Sequence, residues 1–236
     1  MIALKGNLGT ANRCTSPLRK NSTGHKEGAF FMLSTYLEQF ISVQLAGEIE
    51  ITGILKDVSP DMIILSECEG YRYIPIRHIQ QLTFPYSQME TVKPEYGKTS
   101  FRKSLMSAKG RNVYVFLGKN TVLNGYIMSI MTNYIVFYSP IYKTIFISMD
   151  HVKSMTFAEM DAPYGQVTRD FSFALSRTFE EQLQKLIGQL VLFDLADNPQ
   201  KTGTLLCVED GLVCFMTANG DETFLSIKHI PLFFTR

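Results

Sequence analysis

Apolar and polar positions alternate in short runs along most of the chain. Val113, Val115 and Leu117 alternate with Tyr114 and Phe116, and Ile135 with Phe137 and Ile145 with Ile147 keep the same two-residue period. Turn residues break the runs at intervals of about 8–12 positions, as at Gly118-Lys119-Asn120, Thr132-Asn133 and Ser139-Pro140. β-Branched and aromatic residues dominate the runs. The pattern predicts short antiparallel strands, about five to a set, and sets this short are expected to curl into small closed barrels that hide their edges.

The pattern occurs three times, in residues 40–84, 112–157 and 190–234. Gly53, Gly125 and Gly203 anchor the three copies. A turn element follows each glycine (Asp61, Asn133 and Gly211), and later a histidine with a β-branched partner: His78-Ile79, His151-Val152 and His229-Ile230. Three of the four histidines of the chain fill one repeat slot. Glycine inside a strand pattern points to a bulge or a tight bend, or to an ordinary strand glycine.

The expected organisation is a disordered basic extension over 1–31, a β-barrel repeat over 35–84, a linker over 85–104, a second repeat over 105–157, a linker with a helix over 158–180, and a third repeat over 181–236. Within 171–187, Phe171, Leu175, Phe179, Leu183 and Leu186 fall on one helical face. Residues 35–40 and 100–109 read as shorter lead-in helices of the same kind. Residues 1–30 lack the apolar stretch of a signal peptide, and no run reaches the ~18 residues of a membrane span.

The 236 residues carry a formal charge of +1, which argues against a protein whose main task is coating nucleic acid or acidic membrane. The blocks differ, however. Residues 37–84 hold three basic and seven acidic side chains, net −4; residues 105–157 hold five and one, net +4; residues 183–234 hold three and six, net −3. This alternation reads either as electrostatic self-association or as independently solvated faces.

Candidate chemistry is sparse. His78, His151 and His229 are the only recurrent polar residues of catalytic type, one per unit, and no carboxylate recurs beside them. One per barrel, they do not readily converge on a metal, and they read as strand-end histidines bonded to loop carbonyls. Cys207 and Cys214 flank Asp210-Gly211, so a two-residue turn sets them face to face as buried thiols, a strained cross-strand disulfide or half a metal site. No phosphate loop, nucleophile elbow or HExxH helix occurs, and the chain reads as non-enzymatic, with no cofactor. Tyr114, Tyr126, Tyr134, Tyr138 and Tyr142 cluster in the middle unit, suited equally to sticky contacts and to a core.

Residues 113–117, Gly118, Gly125, Tyr134-Ile135 and the closing His151-Val152-Lys153-Ser154-Met155 resemble, in turn, the repeated module in the N-terminal region of spore coat protein B of endospore-forming bacilli. The resemblance covers all three units at low identity. The Gly-Gly-Pro-Glu loop of that family is reduced here to Ala46-Gly47-Glu48, Gly118-Lys119-Asn120 and Asp197-Asn198-Pro199. The chain ends at Arg236, before any Ser/Lys/Arg-rich tail, so the phosphorylation of that tail is not carried over. The resemblance implies a structural component of the spore coat, made in the mother-cell cytoplasm, with other coat proteins as partners.

Each unit is also similar to Sm-like proteins of the host-factor type, through the closing segments at residues 75–79 (PIRHI) and 226–230 (SIKHI). That likeness implies RNA binding. Asp150 in the middle unit and the two acidic blocks weigh against it, and three joined barrels do not obviously close the ring in which such proteins bind RNA.

Overall fold

Burial alternates along strands such as 40–45 and 112–118, whereas 134–139 and 232–235 bury residues on both faces. The computed structural model describes residues 32–84, 99–158, 174–195 and 199–235. The expected extension over 1–31, most of the 85–104 linker and residues 159–173 lie outside the described residues.

The protein is mainly β. The first unit holds β1 (Phe40–Leu45), β2 (Ile49–Val58), β3 (Met62–Glu67), β4 (Gly70–Pro75) and β5 (Ile79–Thr83). The second holds β6 (Asn112–Gly118), β7 (Thr121–Ile130), β8 (Tyr134–Ser139), β9 (Lys143–Ser148) and β10 (Ser154–Phe157). The third holds β11 (Leu190–Leu192), β12 (Thr202–Glu209), β13 (Leu212–Thr217), β14 (Glu222–Ser226) and β15 (Leu232–Thr235). In each unit the first four strands pair in chain order, and the fifth returns to pair with the first. All fifteen belong to one antiparallel sheet that runs from β14 at one end to β5 at the other.

The second strand of each unit carries the anchoring glycine. A Cβ on Gly53 would stand 2.6 Å from the Ser66 carbonyl oxygen, on Gly125 2.0 Å from that of Tyr138, and on Gly203 2.2 Å from that of Met216. The backbone of the third strand therefore passes too close for any side chain. A register shift follows in every unit, between Leu55 and Asp57, Ile127 and Ser129, and Leu205 and Cys207. Each shift leaves one residue unopposed, the β-bulge that bends a long strand.

The lead-in helices are shorter than the sequence pattern suggests. α1 (Phe101–Ser107) starts at the N-cap Ser100. α2 (Phe179–Gln184) starts only at Thr178, where Thr178 and Glu181 form a reciprocal capping box, so residues 174–178 of the expected 171–187 helix are not helical. In the first unit, helical residues occupy 32–34, and 35–38 form turns in place of the expected helix over 35–40. Both labelled helices begin inside stretches read from sequence as linkers.

Three apolar clusters fill the interior. The first is confined to unit one and includes Ile41, Val43, Leu65 and Ile74. The second joins the core of unit two to Met62 of unit one and to Leu232 and Phe234 of unit three. The third joins the core of unit three to Tyr134, Val136 and Phe146 of unit two. Two of the three cores are therefore shared across units.

Candidate functional site

The recurrent residues meet at the joints between units. At the first joint β10 pairs with β4, setting Met155 opposite Tyr73 and Thr156 opposite Arg72. At the second, β15 pairs with β9, setting Leu232 opposite Ile147, Phe233 opposite Phe146 and Phe234 opposite Ile145. The register is the same in both. The fourth residue after the histidine of one unit faces the fifth residue before the histidine of the unit ahead of it.

Side chains seal each joint. Phe146 and Phe233 stack with centroids 4.7 Å apart and are almost fully buried, each burial contributing about 2 kcal/mol. Ser148 N–H donates to the Pro231 carbonyl at 2.9 Å. Pro75 holds the matching slot at the first joint and has no N–H to offer. There the Thr156 hydroxyl donates to the Tyr71 carbonyl at 2.9 Å, and the Arg72 guanidinium lies 4.2 Å above the Phe116 ring.

The turn residue of one unit holds the lead-in helix of the next. The Asp61 carboxylate accepts the Phe101 N–H at 3.0 Å, and the Asn133 Oδ1 accepts the Phe179 N–H at 2.9 Å. Each satisfies a helix N–H that has no partner within the helix. The fully buried Tyr134 donates its hydroxyl to the Ser176 carbonyl at 2.7 Å, and burial pushes its pKa up to about 12.

The histidines lie along the same joints. Each ends a 3-10 turn: Ile76–His78, Met149–His151 and Ile227–His229. His78 is buried, and its Nδ1 accepts from the Lys153 ammonium of unit two at 3.2 Å. Burial, then the charges of Lys153 and Arg77, lower its pKa to about 4, so the ring is neutral at pH 7. His151 Nε2 is 2.9 Å from the Lys228 carbonyl oxygen, which belongs to the next unit and not to a loop of its own. Burial lowers the pKa of His151 as well. His229 is exposed. Arg77 and Asp150, the residues preceding two of the histidines, form a 2.5 Å ion pair across the first joint. No metal-binding group of three or more His, Cys, Asp or Glu side chains occurs among the described residues.

Cys207 and Cys214 lie directly opposite each other between β12 and β13, and both are free thiols. Asp210 and Gly211 have φ of 49° and 75°, the left-handed pair that a tight two-residue hairpin requires. Burial, followed by the Glu222 carboxylate 3.0 Å away, pushes the Cys214 thiol up to about 12. It is therefore protonated and a poor nucleophile or metal ligand.

Several residues of the joints escape a reading by repeat alone. Asp61 and Asn133 read only as turn markers, Met155 only as part of the closing histidine segment, and Tyr73, Phe146 and Phe233 carry no individual reading. One signal was available: the slot before the histidine holds Arg77 in one unit and the opposite charge, Asp150, in the next.

A family model described as the YwrJ third domain matches residues 178–233, from the cap of α2 to β15. The chain is 30% identical over 216 residues to "Uncharacterized protein YwrJ" of Bacillus subtilis (strain 168), covering 84% of this chain and 96% of that protein. A match of that identity and extent shows the family, and the chain belongs to the YwrJ family.

Proposed function

We propose that the chain is a non-enzymatic building block of the bacterial endospore coat. In this reading it is made in the mother-cell cytoplasm and works by protein–protein assembly, with other coat proteins and with itself. Each five-strand unit is a small Sm-like barrel, a reading supported by the return of the fifth strand to the first. The observation that carries the assembly role is the use of the polar residues at and around the histidine slot. His78, Lys153, Arg77, Asp150 and His151 bond from unit to unit, where a catalytic or ligand-binding role would need them free. The coat location rests on the resemblance of the repeats to coat protein B, and a relative from a Bacillus fits it.

Fractionation with an antibody to the recombinant chain tests the reading. The protein is expected to be absent from growing cells and to leave purified spores only under detergent with alkali or reductant. Abundant soluble protein in growing cells would sink the coat reading. Recovery of RNA with that soluble protein, lost as salt is raised, would put the Sm-like alternative in its place.

A further inference from the structure

The two joints inside the chain define a contact that its two ends could make again. Among the described residues, the sheet begins and ends on strands that lack the neighbour their counterparts have. β5 corresponds to β10 and β15, which pair with the preceding unit; among the described residues nothing pairs with its outer edge. β14 corresponds to β4 and β9, which are covered by the following unit; among the described residues nothing pairs with its outer edge.

The exposed side chains mark the same vacancy. At the fifth position before the histidine, Tyr73 is partly buried and Phe146 is 2% exposed, but Phe224 is 58% exposed. At the first residue of the third strand, Met62 and Tyr134 are fully buried, but Leu212 is 45% exposed. On the other edge, Ser154 and Leu232 are buried three residues after their histidines, but Gln81 is exposed. An uncovered apolar edge strand is a template for pairing with another chain.

From this we infer that β5 of one copy pairs antiparallel with β14 of a second copy, repeating the internal joint between molecules. The shared register sets Leu82 opposite Phe224, Gln81 opposite Leu225 and Thr83 opposite Thr223. The contact is head to tail, and the inferred dimer makes it twice, closing a ring of six units. This deepens the assembly role proposed above by naming a second copy as one partner, and it holds or fails independently of where the protein resides.

The joint between copies is weaker than the internal ones for two stated reasons. Gly211 stands where Asp61 and Asn133 hold the following helix, so that bond is lost. The facing units are both acidic, net −3 and −4, and Lys228 meets Arg77 where the first internal joint has the Arg77–Asp150 pair. Like charges oppose the contact, so added salt strengthens it. Attraction between the basic middle unit and an acidic unit would respond in the opposite sense.

Light scattering on the eluting full-length chain, over a dilution series at low and high salt, reads the outcome. The expected result is a species of twice 26.8 kDa that persists to lower protein concentration as salt rises. Phe224→Glu, and separately Gln81→Glu with Thr83→Glu, should each halve the mass while leaving the circular dichroism spectrum of the folded chain unchanged. Because the contact is head to tail, mixing the two variants restores one good β5 and one good β14, and the doubled mass returns. A monomer under every condition, a dimer that survives Phe224→Glu, or a dimer that salt dissolves would each overturn the inference. Spore fractionation can succeed or fail separately, so the two readings are told apart.

Discussion

The glycine slots show how narrow the tolerance is at single positions. The third strand crosses Gly125 so closely that an added methyl group must displace the Tyr138 backbone. Gly125→Ala is expected to cost about 2–3 kcal/mol, read from urea unfolding. Gly118→Ala meets nothing nearer than 3.8 Å and should change stability by about 0.5 kcal/mol or less. His78 adds a pH dependence. Its pKa is near 4 when folded, lowered by burial and by Lys153 and Arg77, with His151 adding to this and Asp150 opposing it. The unfolded chain therefore binds the extra proton first, and stability falls as pH drops from about 6.5 to about 4. The loss is on the order of 2–3 kcal/mol. His78→Asn keeps an acceptor for Lys153 without a titrating ring, and should flatten that part of a Tm-against-pH curve.

Among the elements, strands were far more legible than helices or joints. In the middle unit, alternation locates β6, β8 and β9 and turn residues bracket β7, because the face toward the unit's own core imposes a period of two, while β10 has no such signal. Asp210-Gly211 likewise sets the register that brings Cys207 to Cys214. Helix starts depend on a cap that periodicity does not see: Phe171 and Leu175 keep the apolar spacing, yet Thr178 with Glu181 begins the helix later. The joints stayed hidden because Phe146 and Phe233 are apolar whether they face their own unit or another. The histidine slot was visible, but its bonding across units was not, since a repeat reports what recurs and not what it touches. The helix tethers are testable separately. Asp61→Ala and Asn133→Ala should each cost about 0.5–2 kcal/mol in urea unfolding, as a lost cap does, while Asp61→Asn keeps an acceptor and costs less.

Across the whole molecule, shared cores make the units interdependent. A chain cut after residue 158 loses α2 and β15 and so uncovers Tyr134, Val136 and Phe146. That fragment should bind a hydrophobic dye and aggregate, whereas independent beads would leave it monomeric and dye-silent. The joints also set an order on synthesis. Tyr71 and Thr156, bonded across the first joint, are 85 residues apart, and β10 is the last strand of its unit to leave the ribosome. The outer face of unit one therefore stays bare through the whole translation of unit two. Neighbouring nascent chains on one message could pair in the wrong combination during that interval, and only the tether favours the correct partner.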